Sequence, residues 1–242
     1  MTVPENPAPH PAPDGRAKPV LSIIVPTLNA AGDLPRLIES LADGRMDREV
    51  IVADGGSGDG TQRIAQAHGF TVVETPRGRG LQLVAGAAAA AGEWFLFLHA
   101  DTALQRGWSA IVRGFTSNSD NVYRAAYFQL ILDDTAPVAR MVEDAANLRA
   151  AKLGLPYGDQ GLLISRAFYD RLEGFNPIPI MEDVDLIRRI GRRRLIQLPS
   201  AAVTSARRYQ KDGYWLRPLR NLLCLALYYA GLPPRLIEQV YR

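Results

Sequence analysis

Three loops rich in acidic, hydroxyl and amide side chains each follow an apolar run of the sequence. They read Pro26-Thr27-Leu28-Asn29, DGGSGDGT over 54–61 and HADT over 99–102. A carboxylate such as Asp54 or Asp101 can accept hydrogen bonds from a nucleoside or bind a hard cation. Glycines such as Gly56 let a ligand approach the backbone closely. One acid after a strand is common in structural turns, whereas acids in adjacent loops indicate a binding site.

The glycine-rich loop over 54–61 also has a purely structural interpretation. Asp54 can tie its own turn, and Asp59 can cap the helix that follows. We assign Asp59 to that structural role and expect Asp54 to contact a base or ribose. The spacing of Gly56, Gly58 and Gly60 does not fit the G-x-G-x-x-G dinucleotide fingerprint, and the sequence contains no Walker A element.

Alternating strands and helices would bring these loops together, and the first half of the chain has that pattern. Short apolar runs predict strands over 20–25, 49–53, 70–74 and 93–98, with helices between them. This alternation is typical of a doubly wound parallel sheet, which binds ligands at the carboxyl ends of its strands. The second half reads as mixed, with helices near 103–115, 136–153, 166–172 and 183–190 and strands near 122–132 and 161–165.

Length and composition are those of a single folded domain of 242 residues. Six of the seventeen prolines fall within 1–19, which predicts a disordered leader, and that stretch lacks the apolar region of a signal peptide. The longest later apolar run, 222–232, is too short to span a bilayer. The single cysteine, Cys224, is expected to be a buried small hydrophobe, and these features together indicate the cytoplasm.

Positive charge is concentrated towards the end of the chain. Ten Arg or Lys residues and one acid, Asp212, lie within 188–220, although the net charge of the whole chain is +3. Such a region is suited to phosphate or to an anionic surface. The apolar helix expected over 222–232 leaves three interpretations open: peripheral contact with the inner face of the cell membrane, packing in the core, or contact in a homodimer.

Three segments taken together resemble the amino-terminal half of family 2 inverting glycosyltransferases. They are LSIIVPTLNAAGDLPRLIESL from 21, VIVADGGSGDGT from 50 and GEWFLFLHADT from 92. The LHADT form, with YGDQG from 157 and RRY from 207, is similar to a bacterial subgroup known as radical-SAM or selenodomain-associated transferases. The resemblance implies a GT-A fold, an α/β Rossmann-like and mostly parallel sheet with helices on both faces. A nucleotide-binding half would cover 20–102 and a mixed acceptor half 103–212, with a helical segment over 213–242.

The resemblance also implies roles for individual residues. A nucleotide-diphosphate sugar would be bound by Pro26, Thr27, Asn29, Asp54, Gly56, Arg79, Ala100, Asp101, Arg207 and Arg208. Asp101 would hold Mg²⁺ or Mn²⁺ as the second acid of a D-x-D element, in which His99 replaces the first acid. One carboxylate can suffice because phosphate oxygens complete the shell of such an ion. His99 itself has two open interpretations, contact with ribose or phosphate and a purely structural role.

On the acceptor side, the resemblance assigns four further residues. Asp159 and Gln160 would contact an acceptor hydroxyl, carried by a lipid or a saccharide, and Asp159 could alternatively belong to the metal shell. Asp183 would be the general base of an inverting transfer, with Glu182 helping to position the acceptor. The structural alternative is that Glu182 and Asp183 are two acids at the amino end of a helix, where its dipole favours them.

Two functions other than glycosyl transfer account for parts of the sequence. A sugar-1-phosphate nucleotidyltransferase also uses a parallel sheet and a metal ion, but PTLNAAGD does not supply its glycine-rich triphosphate loop. A basic module that binds nucleic acid or a membrane surface on an inactive scaffold would account for the arginines and for His99. We expect no nucleic-acid partner, because acids gather where a mere scaffold would not need them.

Overall fold

The structure, a computed structural model, describes residues 20–43 and 46–241, so the predicted leader over 1–19 lies outside the described residues. One mixed sheet organises the described chain. Its strands are β1 (Leu21–Thr27), β2 (Arg48–Asp54), β3 (Thr71–Glu74), β4 (Trp94–Phe97), β5 (Thr102–Leu104), β6 (Ala125–Leu132), β7 (Leu162–Ser165) and β8 (Leu195–Thr204). The helices are α1 (Leu34–Leu41), α2 (Thr61–Ala67), α3 (Arg79–Ala89), α4 (Trp108–Thr116), α5 (Pro137–Leu153), α6 (Arg166–Arg171), α7 (Glu182–Ile190), α8 (Arg207–Asp212), α9 (Leu216–Tyr229) and α10 (Pro234–Tyr241).

The strand order is β3-β2-β1-β4-β7-β6-β8-β5. The first four strands are mutually parallel, which confirms the predicted alternation of strands and helices in the first half. Thr27 pairs with Asp54 at the ends of β1 and β2, so the loops that follow both strands leave the same edge of the sheet. β7 is antiparallel to β4 and to β6, and through β7 the second half extends the same sheet.

Successive side chains of the central strands enter two apolar layers, one on each face of the sheet. Ile23, Val25 and Val52 contribute to one layer, and Ile24 and Ile51 to the other. Successive strand residues point to opposite faces, so a strand that is covered on both sides must be apolar throughout. This is why the runs over 20–25 and 49–53 are continuous rather than alternating.

Two strands in the second half differ from the sequence prediction. The helix predicted from 103 begins at Trp108, because Thr102–Leu104 pair with β8 as a short strand. The long strand β8 was not predicted. It contains Pro199, and its register with β6 shifts at this point, between the pairs Tyr127–Gln197 and Gln129–Ala201. A proline that lacks an N–H donor fits such an irregularity but weakens the strand pattern in the sequence.

The C-terminal helices α9 and α10 pack against each other and contribute to the second apolar layer. Cys224 and Leu225 of α9 and Ile237 of α10 are buried in the second apolar layer, which confirms the buried position predicted for the cysteine. None of the helices that the structure describes is both long and apolar enough to cross a membrane.

Candidate active site

Two connected cavities lie at the carboxyl edge of β1 and β4. The first, which we call the wide cleft, has a volume of about 590 Å³, and the second, the inner cavity, about 90 Å³. Four side chains line both cavities: Arg79, His99, Asp101 and Arg208. The cleft is bounded mainly by the first half of the chain, and the inner cavity mainly by the second half, so the two halves meet at these four residues.

The loop after β1 forms one wall of the wide cleft. Pro26, Thr27 and Asn29 line the cleft, together with Ala100 and Asp101 from the loop after β4. Asn29 adopts a left-handed backbone conformation with φ of 51°, which asparagine tolerates better than most residues. Its side-chain oxygen accepts a hydrogen bond of 2.9 Å from the Gly58 N–H, so the loops after β1 and β2 are fastened to each other.

Asp54 is buried beneath this wall and does not line either cavity. Its carboxylate accepts hydrogen bonds from the side chains of Thr27, Ser57 and Gln62 and from the backbone of the glycine-rich loop. Burial opposes its ionisation, but the bonds from Ser57, Gln62 and Thr27 outweigh burial and lower the pKa of Asp54. These contacts are those of the structural interpretation. Contact of Asp54 and Gly56 with a donor stays a prediction.

The amino end of α3 lies at the site because Gly80 allows close packing and Gln82 makes hydrogen bonds to two strands. A Cβ atom on Gly80 would lie 2.4 Å from the backbone oxygen of Ile178, so the loop before α7 can touch α3 only where there is no side chain. Gln82 is buried and donates hydrogen bonds of 2.6 and 2.9 Å to the backbone oxygens of Thr27 and Ala53. Gln82 therefore holds α3 against the ends of β1 and β2, with Arg79 directed to both cavities.

Arg79 forms a hydrogen-bonded ion pair with Glu182, the first residue of α7. The side chain of Glu182 is 1% exposed and that of Arg79 is 34% exposed. Burial raises the pKa of Glu182, and the guanidinium of Arg79 opposes that effect. Glu182 thus connects the two halves of the chain. Its help in positioning an acceptor stays a prediction.

Asp183, the next residue, lines the inner cavity. One carboxylate oxygen accepts a hydrogen bond of 2.9 Å from the Gly158 N–H, and the other accepts a bond of 2.8 Å from the Val184 N–H. A Cβ atom on Gly158 would lie 2.5 Å from His99 Nε2, so glycine at this position lets His99 and Asp183 approach the same loop.

Asp101 and His99 stand where the two cavities meet. Asp101 Oδ1 is buried with no hydrogen-bond partner, and Oδ2 lies 3.7 Å from the Arg208 guanidinium. Burial, followed by the positive charge of Arg79, lowers the pKa of His99 to about 4. The imidazole is therefore neutral at neutral pH, and it can accept or donate a hydrogen bond in either cavity.

The YGDQG segment contributes one residue to the inner cavity and one to the core. Asp159 lines the cavity, and its Oδ1 is buried without a hydrogen-bond partner. Burial raises the pKa of Asp159. Gln160 is fully buried and bonds instead to the Phe128 backbone oxygen and to Asn147, which gives it a structural position. The Arg149 guanidinium lies 3.5 Å from the centre of the Tyr157 ring, a cation–π contact with the first residue of this segment.

The two arginines of the RRY segment occupy different positions. Arg208 lines both cavities, beside Asp101. Arg207 lines neither and forms an ion pair with Asp33, which follows the β1 loop. The structure therefore brings Arg208 to the site and leaves Arg207 outside it. Binding of a donor by either arginine stays a prediction.

The C-terminal helices supply residues that the sequence analysis did not predict. Arg217 and Asn221 of α9 and Tyr241 of α10 line the inner cavity. In the sequence, the two polar residues are spaced four apart within an apolar helix, which places them on one face. That spacing is the signal that could have identified them.

Asp101 is suited to bind a divalent cation, but the described residues do not form a complete metal-binding cage around it. The buried and unpartnered Asp101 Oδ1 is the kind of oxygen that Mg²⁺ or Mn²⁺ binds. Among the described residues, no group of three His, Cys, Asp or Glu side chains could hold a metal ion by itself. Any such ion would need most of its ligands from water or from a bound diphosphate.

Comparison with known proteins agrees with this arrangement. Residues 22–128 match the family described as Glycosyl transferase family 2. The matching curated proteins include a PGL/p-HBAD biosynthesis glycosyltransferase of Mycobacterium bovis, which is 38% identical over 96 residues. That match covers 36% of this chain and 38% of the relative, so the similarity spans well under half the length of either protein.

Solved structures extend the likeness to most of the chain. The mannosyltransferase PcManGT from Pyrobaculum calidifontis, in complex with GDP-Man and Mn²⁺, is 21% identical with a TM-score of 0.64, over 86% of this chain and 62% of its own. Glucosyl-3-phosphoglycerate synthase from Mycobacterium tuberculosis, in complex with Mn²⁺, UDP and glucosyl-3-phosphoglycerate, is 24% identical with a TM-score of 0.59, over 89% and 81%. The protein therefore has the GT-A fold, as the sequence predicted.

Proposed function

We propose that this protein transfers a sugar from a nucleotide-diphosphate sugar to a hydroxyl acceptor, with inversion at the anomeric carbon. The observation that carries the proposal is that Asp101 and Asp183, from opposite halves of the chain, line one cavity together with Arg79 and Arg208. The match over 22–128 and the glycosyltransferase relatives support the same reaction class. We also propose a cytoplasmic location and a likeness to the radical-SAM-associated subgroup. Both rest on the sequence.

The wide cleft is suited to the donor. Its wall of loop residues gives backbone groups and Asn29 for a nucleoside, and Arg79 and Arg208 supply positive charge for a diphosphate. Asp101 would hold Mg²⁺ or Mn²⁺, which when bound neutralises the charge that develops on the departing diphosphate. Complexes of two structural neighbours with Mn²⁺ support a divalent metal.

The inner cavity is suited to the acceptor. Asp183 is held by two backbone N–H groups at the start of α7, so its carboxylate is in place to take the proton from an attacking hydroxyl. Asp159, whose Oδ1 has no partner, can accept a hydrogen bond from a second acceptor hydroxyl. Inversion follows if the hydroxyl in the inner cavity attacks opposite the diphosphate in the wide cleft.

Thermal shift with uridine, guanosine, cytidine and thymidine diphosphates, each with and without Mn²⁺, tests the donor half of the proposal. A ligand at about 100 times its Kd adds about 2.7 kcal/mol of stability, which for a chain of this size raises Tm by about 5–10 °C. We expect one nucleotide to stabilise the protein more strongly with Mn²⁺ than without it.

The Asp101→Asn variant should lose the Mn²⁺-dependent part of that shift, because an amide is a much weaker ligand for a hard cation. The matched control is Asp120→Asn, which alters an exposed acid outside the site. If no nucleotide stabilises the protein, or if Asp101→Asn responds to Mn²⁺ as the unaltered protein does, the proposal fails.

A further inference from the structure

Helix α9 has apolar residues on two opposite faces. The inner face is buried in the second apolar layer through Cys224 and Leu225. The outer face carries large side chains that are exposed to solvent along the whole helix. They are Trp215, which precedes the helix, Leu216, Leu219, Leu222, Leu223 and Tyr229. Their exposed fractions run from 48% to 69%.

The outer face forms one continuous stripe. Its residues recur at intervals of three and four, which is the repeat of one side of an α-helix. Exposed Leu232, Leu236 and Val240, in α10 and the turn before it, continue the apolar surface. Scattered surface leucines are normal in proteins, but a contiguous apolar surface of this length marks a contact with another molecule.

The charge of this region indicates what that molecule is. Residues 207–241 contain six Arg or Lys and two acids. Arg207 is paired with Asp33, and Arg208 and Arg217 line the cavities, so the basic side chains exposed beside the stripe are Lys211 and Arg235. Exposed Lys211 precedes the stripe along the chain, and exposed Arg235 follows its main part. Trp215 and Tyr229 lie at its two ends, and such side chains favour the interface between lipid headgroups and hydrocarbon.

We propose that the outer face of α9, continued by α10, binds the surface of an anionic bilayer. The apolar stripe would enter the boundary between headgroups and acyl chains, and the basic residues would remain among the lipid phosphates. A second copy of the chain would also cover apolar side chains, but it would bring the same two positive side chains, Lys211 and Arg235, to the contact. Charge complementarity therefore favours the bilayer over a homodimer.

The position of α9 relates this surface to the reaction. Its inward side chains Arg217 and Asn221 line the inner cavity. A bilayer bound to the outer face would thus lie about one helix diameter, about 10 Å, from that cavity. This distance suits an acceptor whose hydroxyl is carried on a lipid, a consequence that also rests on the proposed function.

Flotation with phosphatidylcholine vesicles, with and without phosphatidylglycerol, tests the proposal on the full chain without any nucleotide. We expect binding to the anionic vesicles, weakened by added salt. Combining Leu219→Glu and Leu222→Glu should reduce the affinity by about tenfold for each leucine. Lys211→Ala and Arg235→Ala should each reduce it by about fivefold, and only for the anionic vesicles.

The matched control combines Met141→Glu and Leu148→Glu, two exposed apolar residues on α5, and it should bind vesicles normally. The proposal is overturned if the unaltered protein does not bind anionic vesicles, or if the α9 double variant binds them equally well. It is also overturned if light scattering shows a dimer that the α9 double variant abolishes, while vesicles are not bound. Nucleotide-induced stabilisation should persist in the α9 double variant, so failure here is distinguishable from failure of the proposed transferase.

Discussion

Glu182 and Asp183 are adjacent in the chain, but the structure predicts that their variants fail in different ways. Glu182→Gln removes the negative partner of Arg79 at a site where Glu182 is 1% exposed. Loss of one partner of a buried pair typically costs about 3–5 kcal/mol. The Arg79 side chain is 34% exposed, so water can solvate much of its charge, and we expect a smaller loss of about 2–3 kcal/mol. For a chain of this size that loss lowers Tm by about 4–12 °C.

Asp183→Asn should have the opposite pattern. The carboxamide keeps one oxygen acceptor and replaces the other with an NH2 donor, so one of the two backbone N–H bonds is lost and the stability should fall by about 1 kcal/mol. The amide cannot take a proton from the acceptor, so kcat should fall by about 10²–10⁴-fold. Glu182→Gln should keep kcat within about tenfold, because Glu182 bonds Arg79 and leaves proton transfer to its neighbour.

Differential scanning calorimetry measures Tm. The rate of nucleoside diphosphate release, with the donor that the nucleotide panel identifies, gives kcat. Glu39→Gln, at an exposed position of α1, is the matched control and should change neither. The two residues do not have these separate roles if Glu182→Gln loses kcat as severely as Asp183→Asn while its Tm is unchanged. That result would make Glu182 a chemical participant rather than a connection between the halves.

Two further predictions concern stability. Hydrogen bonds, the largest from Tyr214, lower the pKa of Asp134 from 3.8 to about 2. Their stabilising effect is complete above about pH 4 and is lost as the pH falls to about 2. The difference in urea midpoint between the unaltered protein and Asp134→Asn should therefore narrow over that range. A difference that stays constant would show that these hydrogen bonds do not lower the pKa of Asp134. Gly80→Ala should cost about 1–3 kcal/mol, because its Cβ would lie 2.4 Å from the Ile178 oxygen. Gly114→Ala, on α4 with open space around it, should instead add about 0.5–1 kcal/mol to the free energy of unfolding. If urea denaturation shows that both variants change this free energy in the same direction, the close contact at Gly80 does not decide the effect.

The first half of the fold could be predicted because each strand carries its signal locally. β1, β2 and β4 are buried on both faces, so each is a short continuous apolar run followed by a polar loop. β8 could not be predicted in the same way, because Pro199 and the shifted register interrupt its pattern. Its place in the sheet depends on pairing with β6 and β5, which are distant in the sequence.

The candidate site could be predicted where a residue follows a strand directly, and less well where burial decides its role. Asp101 and Asp183 line the inner cavity, as the predicted meeting of the loops requires. Asp54 also follows a strand, but Thr27 and its own loop enclose its carboxylate. Arg217 lines the cavity from α9, a helix that was not predicted to contribute to the site. Only tertiary packing brings α9 beside the amino end of α7, so the local sequence carries no signal of this contact.

The start of α7 shows why two adjacent acids can have unrelated surroundings. Consecutive residues of an α-helix point about 100° apart, so Glu182 turns towards Arg79 while Asp183 turns towards the loop that carries Gly158. The ion pair joins α7 to α3, and the Gly158 N–H holds Asp183 beside the inner cavity. In the proposed mechanism, Glu182 would act on the reaction only through the position of α7, and proton transfer would fall to Asp183. A substitution at this position should therefore change kcat by no more than about tenfold, and the conservative Glu182→Asp should shift KM and kcat together rather than kcat alone.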